Sequence, residues 1–213
     1  MEIEVKDISK KYGNLQVLRN FNIKLEEKRI SAILGPSGCG KTTLLNIISG
    51  LEKYDSGSII GIENKKFSYI FQEDRLLPWS SVEENIHFVL KKDYKDQEII
   101  NITDKYLKIV GLEEYRHYYP NQLSGGMKQR VAIARAFAYP SDILLMDEPF
   151  KGLDMELKKN LIEAFISLWK KDKRTVIFVT HDMDEAMRLA DYIFILGGKP
   201  LAIKEKVVTN AKK

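Results

Sequence analysis

The sequence contains a single cysteine, Cys39, and lacks any long apolar run. One cysteine excludes an internal disulfide and a cysteine-rich zinc site, so a reducing, cytoplasmic location is the expectation. No stretch approaches the ~18–20 apolar residues that span a bilayer, and acidic residues near the N-terminus argue against a secretory signal. We therefore expect a chain that does not itself cross a membrane.

The sequence also lacks a strong excess of one charge. The 34 basic and 30 acidic residues leave a net charge of +4, and the lysines are scattered rather than gathered in one stripe. This distribution predicts no nucleic-acid partner. A hydrophobic fraction of 44% is that of an ordinary globular domain.

Strand and helix patterns alternate along most of the chain. Strands are predicted at residues 3–8, 15–25, 29–34, 59–62, 67–71, 143–146, 175–179 and 192–196. Helices are predicted at residues 42–49, from 81, at 96–110, 125–139, 156–171 and 183–189. This order predicts an α/β fold with a mainly parallel sheet, while a hairpin signal at Gly13-Asn14 makes the first two strands antiparallel. The helical block at residues 74–138 interrupts the core as an insertion.

The strongest motif is a glycine-rich loop between a strand and a helix. Residues 35–42, Gly-Pro-Ser-Gly-Cys-Gly-Lys-Thr, fit the phosphate-loop (Walker A) pattern G-x-x-x-x-G-K-[ST]. Backbone N–H groups can converge there on nucleotide phosphates, Lys41 can reach the β- and γ-phosphates, and the Thr42 hydroxyl can ligate Mg²⁺. The alternative is a chance glycine-rich turn, which the flanking strand and helix disfavour. The predicted nucleotide-binding residues are Gly35, Pro36, Ser37, Gly38, Cys39, Gly40, Lys41, Thr42 and Thr43.

Two carboxylates follow an apolar strand at residues 143–146. Asp147 and Glu148 stand where the strands of an α/β sheet present their ligands. Asp147 suits an outer-shell role at the Mg²⁺ site, and Glu148 suits a general base that polarises the attacking water. Alone, the pair is equally compatible with a solvated acidic turn; downstream of a phosphate loop the catalytic interpretation is favoured.

A hydroxyl and two glycines, Ser124-Gly125-Gly126, begin another predicted helix. A helix N-terminus of this kind can bind an anion. The chain has only one phosphate loop, so this element either binds a second ligand or completes the site of another copy.

These motifs, in this order, resemble those of the ATP-binding-cassette (ABC) ATPases. Residues 123–130, Leu-Ser-Gly-Gly-Met-Lys-Gln-Arg, are similar to that family's signature motif. The resemblance, which runs from about residue 3 to residue 196, implies that Gln72 contacts Mg²⁺ and the attacking water and that His181 senses the γ-phosphate. It also implies that Asp154 is the D-loop aspartate at the nucleotide and that Tyr12 stacks on adenine.

The resemblance carries further expectations about architecture. It implies one ATPase domain over residues 1–213, with a phosphate-loop NTPase core at about 1–73 and 139–213, an N-terminal antiparallel β subdomain, and a helical subdomain at about 74–138. ATP and Mg²⁺ are the implied cofactors. The signature motif of one copy is expected to complete the site of another, so the ATP state is a homodimer or a paired cassette.

A finer resemblance lies in residues 71–79, Phe-Gln-Glu-Asp-Arg-Leu-Leu-Pro-Trp. They look like the nitrate, sulfonate and taurine importer ATPases, which implies permease subunits, an indirect extracytoplasmic solute-binding protein, and a peripheral place on the cytoplasmic face of the membrane. Lys28-Arg29 and Lys151 depart from the usual family residues. We expect Leu76, Leu77 and Trp79 to form an exposed apolar surface; the alternative is a tryptophan buried in its own chain.

The sequence therefore predicts an ATPase that hydrolyses ATP to ADP and phosphate and energises an ABC importer. Two alternatives stay open. The motor of an ABC exporter is usually fused to membrane spans, and soluble cassette proteins that act on DNA or ribosomes carry coiled-coil arms, zinc cysteines or tandem cassettes. None of these features is visible in the sequence.

Overall fold

A computed structural model describes residues 2–209 and divides the chain into two compact units. The first unit takes the described residues up to Phe67, then Asp142–Glu148, then those from Asp172 onward. The second unit takes Ser68–Ser141 and Pro149–Lys171. Each unit is described by itself.

The first unit begins with a three-stranded antiparallel sheet. Strand β1 (Glu2–Tyr12) pairs with β2 (Leu15–Glu26) on one side and with β4 (Ser56–Ile60) on the other. Side chains that alternate along β1 and β2 are buried, as the period of a strand with one face on the core requires. The predicted hairpin is confirmed, with Tyr12 opposite Leu15.

The second sheet of this unit is largely parallel. Its strands are β3 (Ile30–Leu34), β6 (Ile143–Asp147), β7 (Thr175–Thr180), β8 (Tyr192–Gly197) and β9 (Ala202–Val208), in the order β6-β7-β3-β8-β9. Strands β3, β6 and β7 are buried along their whole length, as parallel strands covered on both faces are. Helices α1 (Lys41–Ile48) and α6 (Met183–Leu189) follow β3 and β7 in sequence. The phosphate loop follows β3 and the two carboxylates end β6, so they lie at the carboxyl ends of two parallel strands that have β7 between them.

The second unit is mainly helical. A short strand β5 (Phe67–Ile70) enters it, and helices α2 (Val82–Leu90), α3 (Asp96–Val110), α4 (Gly125–Ala138) and α5 (Met155–Lys171) follow. The core includes Phe137 and Phe165, whose rings meet edge to face at 5.2 Å. Ser81 and Glu84 form the predicted capping box, and Gly111 ends α3 at φ 63.

The predicted α/β fold is thus confirmed, with antiparallel and mainly parallel sheets and a helical insertion. The prediction that 192–196 is the last strand was wrong, because β9 follows it as an antiparallel partner of β8. No helix among residues 2–209 is long and apolar enough to cross a membrane.

Candidate functional site

The phosphate loop takes a backbone shape that only glycine adopts without strain. Gly40 precedes α1 with φ 111, and a Cβ there would lie 2.6 Å from Val17 Cγ1. A larger residue would therefore have to push β2 away. The loop residues Pro36, Ser37 and Gly38 are exposed, whereas the small side chain of Cys39 is buried.

Lys41 is held inside this loop. Its Nζ donates to the carbonyl oxygens of Gly35 and Pro36, each at 2.8 Å, and the residue is only 5% exposed. The loop thus wraps around the ammonium group at the start of α1. A positive charge and the N-terminus of α1 lie at the same place, which favours an anion there.

The two predicted metal ligands of this unit meet directly. Thr42 Oγ1 donates to Asp147 Oδ2 at 2.7 Å, across 105 residues of sequence. Asp147 is buried at the end of β6, so its carboxylate is fixed by the sheet. A hydroxyl and a carboxylate are oxygen ligands of the kind that Mg²⁺ prefers.

Glu148 and His181 form a second polar pair. Glu148 Oε1 lies 3.4 Å from His181 Nδ1, and the carboxylate is 9% exposed while the imidazole is half exposed. Glu148 has φ 47, a left-handed conformation that costs a residue with a Cβ about 1–2 kcal/mol. Its backbone N–H donates to Val179 O at 2.9 Å, which fixes the turn after β6 against β7. The structure thereby brings the predicted base beside the predicted switch histidine.

Hydrogen bonds fix the residues on either side of His181. Thr180 Oγ1 donates to the buried Glu185 carboxylate at 2.6 Å and accepts from Asp182 N–H at 3.1 Å. Asp182 in turn caps α6 by accepting from the N–H groups of Asp184 and Glu185. These bonds fix the backbone on both sides of the histidine and leave its side chain at the surface.

Tyr12 lies at the end of β1 in the same unit and is 46% exposed. Its ring is approached by the ammonium of Lys10, whose Nζ lies 4.9 Å from the ring centroid. The exposed ring is compatible with stacking on a base. Lys10 itself was missed by sequence reasoning, because lysine near a strand end usually points into solvent.

The signature residues lie in the second unit, at the start of α4. Ser124 is the N-cap, and its Oγ accepts from Met127 N–H at 3.3 Å. A Cβ on Gly126 would come within 2.8 Å of Leu157 Cδ2, so this glycine allows α4 to pack closely. Gly125 has open space around its Cα.

Asp154 and Gln72 also belong to the second unit. Asp154 Oδ1 accepts from Leu157 N–H at 2.9 Å and so caps the start of α5. Gln72 is exposed. Tyr12, the phosphate loop, Asp147, Glu148 and His181 thus belong to the first unit, where Thr42 contacts Asp147 and Glu148 lies beside His181. Gln72, Asp154 and the signature residues belong to the second.

An exposed tryptophan follows Gln72. Trp79 is 74% exposed, which confirms the predicted surface position, while Leu76 and Leu77 are half-buried. Asn85, at 0% exposure, holds the turn that carries Trp79 in place: its Oδ1 accepts from Leu77 N–H at 2.8 Å. The two N–H groups of its Nδ2 are shared among three carbonyls within hydrogen-bonding distance. Those carbonyls belong to Leu77, Ser80 and Ser81.

Arg135 of α4 supports the same turn. Its Nη1 donates to Asn85 Oδ1 and its Nη2 to the carbonyl of Asp74, both at 3.3 Å. Burial lowers the pKa of the guanidinium, and the nearby Asp74 charge opposes that shift. Sequence reasoning missed this arrangement, because its partners are up to 61 residues apart.

The donor set fits ATP and Mg²⁺. Among the described residues, no group of three or more His, Cys, Asp or Glu could hold a metal alone. Mg²⁺ is commonly held by one or two protein carboxylates together with substrate phosphates and water, and the Thr42–Asp147 pair beside the Lys41 loop has oxygen atoms that fit the protein part of such a site.

Comparisons with known proteins identify the family of this chain. The sequence profile of the ABC transporter family matches residues 18–151. The aliphatic sulfonates import ATP-binding protein SsuB of Bacillus cereus is 43% identical over 99% of this chain and 86% of its own length. The nitrate import ATP-binding protein NrtD of Synechocystis is 36% identical over 99% of this chain and 83% of its own length. A dimeric structure of the bacterial ABC transporter cassette MJ0796 has a TM-score of 0.87 at 32% identity and covers 97% of this chain and 98% of its own. A post-hydrolysis structure of that cassette, bound to ADP and Pi, matches equally well. This chain therefore belongs to the ABC transporter family, as an ATP-binding cassette.

Proposed function

We propose that this chain is the ATP-hydrolysing subunit of an ABC importer for a small anionic or organic solute such as nitrate, sulfonate or taurine. The observation that carries the proposal is the meeting of the Thr42–Asp147 and Glu148–His181 pairs at the phosphate-loop end of one sheet. Relatives that import sulfonates and nitrate support the solute class. They favour an importer over an exporter motor or a soluble cassette.

Nucleotide binding is assigned to the first unit. Backbone N–H groups of residues 35–43 and the Lys41 ammonium bind the phosphates, and Tyr12 stacks on the base. Thr42 and Asp147 are the residues of this unit that would hold Mg²⁺; the metal-binding role of Gln72, which belongs to the second unit, remains a prediction. When bound, the ion supplies charge neutralisation on the phosphate oxygens.

Hydrolysis is assigned to Glu148 and His181. The Glu148 carboxylate takes a proton from the attacking water while the water oxygen bonds to the terminal phosphorus of ATP. The bond between that phosphorus and the bridging oxygen breaks, and the oxygen leaves with ADP. Because Glu148 is mostly buried, bulk water competes little for this carboxylate. His181, 3.4 Å from it, orients the carboxylate and reports whether the terminal phosphate is present.

A second copy completes the site in the ATP state. Ser124, Gly125 and Gly126 of one copy, with Asp154 of the same unit, would face the phosphates bound by the other, which gives two identical sites. The dimeric structure of MJ0796 supports this arrangement. The division into a core at residues 1–73 and 139–213 and a helical subdomain at 74–138 remains a prediction.

The permease partner is assigned to the Trp79 turn. An exposed aromatic on a rigid turn is typical of a docking site, and Asn85 and Arg135 supply the rigidity. The subunit would then lie on the cytoplasmic face of the membrane and respond, through the permease, to an extracytoplasmic solute-binding protein.

The test is reconstitution with the permease encoded beside this gene. The wild-type chain should co-purify with it, and solute-loaded binding protein should stimulate ATP hydrolysis. Trp79→Ala should weaken co-purification and leave ATP binding by the isolated chain unchanged. Failure to co-purify with any membrane protein would overturn the importer assignment.

A further inference from the structure

A partly buried ion pair connects the end of β1 to the segment that follows α1. Lys10 Nζ lies 2.5 Å from Glu52 Oε1 and donates to Lys53 O at 2.6 Å. Lys10 is 8% exposed, although lysine is seldom buried without a partner. The hydrogen bond that Lys10 donates to Glu52 raises the pKa of Lys10, so the ammonium stays charged.

The segment that holds Lys10 is itself fixed to α1. Glu52 N–H donates to Asn46 O at 3.1 Å, and Asn46 lies within α1, which begins at Lys41. Two more bonds join the same segment to β1: Asp55 N–H donates to Ser9 O at 2.8 Å, and Asp55 Oδ2 accepts from Lys11 N–H at 2.9 Å. The end of β1 therefore has a defined position relative to α1.

The charge of this pair reaches the predicted base-stacking ring. Residues 10 and 12 share one side of β1, and Lys10 Nζ lies 4.9 Å from the centre of the Tyr12 ring. A cation at this distance is attracted to the ring face and limits its rotation. The same lysine therefore bonds to the segment after α1 and touches the ring that reads the base.

We propose that Lys10, held by Glu52, is a positioning residue that sets the Tyr12 ring at a fixed distance from the phosphate loop. It acts through Tyr12 and does not itself touch nucleotide. The inference rests on the proposed role of Tyr12. Its effect is confined to the part of ATP affinity that comes from the base.

The test compares the affinity for ATP with the affinity for tripolyphosphate, which has the phosphates but no base. Binding of Mg-ATP and of inorganic tripolyphosphate with Mg²⁺ is measured by calorimetry on the full chain. Lys10→Met should raise the Kd for ATP about three- to tenfold and leave the Kd for tripolyphosphate unchanged. Lys10→Arg keeps the cation and should restore most of the ATP affinity.

Lys11→Met is the matched control. Lys11 is the exposed neighbour, and only its backbone N–H takes part in the bonds described, so both affinities should be unchanged. If Lys10→Met fails to fold, Glu52→Gln removes the charge partner and should lower ATP affinity in the same direction. Equal weakening of ATP and tripolyphosphate binding would indicate general damage and overturn the inference.

Tyr12→Ala separates this inference from the function it rests on. If Tyr12→Ala lowers ATP affinity alone, Tyr12 reads the base, and the double variant with Lys10→Met should then lose little more than Tyr12→Ala does. Additive losses would mean that Lys10 acts by another route, which overturns the inference but not the role of Tyr12. No effect of Tyr12→Ala on ATP affinity would refute the assigned role of Tyr12 itself.

Discussion

Replacing Glu148 by glutamine tests the proposed chemistry most directly. Glutamine keeps the size of the side chain and a carbonyl oxygen for His181, 3.4 Å away, but it cannot accept the proton of water. A positioned general base contributes about 10²–10⁴ in rate, so kcat should fall at least ~10²-fold, equivalent to about 2.7 kcal/mol. The Kd for ATP should change little, because Glu148 makes none of the assigned phosphate contacts.

The assay is steady-state phosphate release under saturating Mg-ATP, with ATP affinity and the thermal midpoint measured on the same protein. Glutamate and glutamine are similar in size and should pay a similar cost for the left-handed backbone at position 148, so the thermal midpoint should be close to wild type. Glu148→Asp, which keeps the charge on a shorter arm, should retain more activity than Glu148→Gln. Turnover of Glu148→Gln within about threefold of wild type would remove this carboxylate from the role of base.

Three other outcomes follow from the contacts described. Lys41→Ala should weaken ATP binding itself, measured by calorimetry, because the assigned phosphate contact is lost. With Mg-ATP and not with ADP, Glu148→Gln should sediment as a dimer; adding Ser124→Arg should block the dimer without preventing ATP binding, whereas a monomer under every condition would contradict the shared site. Burial lowers the pKa of His87 below its ordinary 6.5, so the unfolded chain takes up this proton first as the pH falls. The free energy of unfolding should thus fall between about pH 7 and pH 5, and urea titrations should show a smaller fall for His87→Gln.

The fold was readable from the sequence where local patterns are strong. The buried apolar runs of β3, β6 and β7 and the capping box of α2 each carry their own signal, and each lies within a residue or two of its predicted position. Strand β9 carries none, because the side chains along Ala202–Val208 are almost all exposed and show no apolar face. Its position depends on pairing with β8, which a local pattern does not report.

The residues of the candidate site also differ in how far the sequence alone predicts them. The phosphate loop and the Asp147-Glu148 pair were recognised because each is one contiguous motif with a defined chemistry. Lys10 and Asn85 act through partners that are distant in sequence, and each residue type is ordinary at its position. Burial is the property that separates them from solvated residues, and it becomes visible only when the chain is folded.

Strand β9 has a consequence for the solubility of the protein. Within the described residues it is the outermost strand of its sheet, and its Lys204, Glu205 and Lys206 place charges where another chain could add a strand. Strand β8 beneath it has the sequence Tyr-Ile-Phe-Ile-Leu-Gly and is largely buried. A chain cut after Gly197 would expose this apolar edge with unpaired backbone groups, the kind of segment that starts edge-to-edge aggregation. The charged outer strand therefore serves as a cover that keeps the nucleotide-binding sheet from pairing with its own copies.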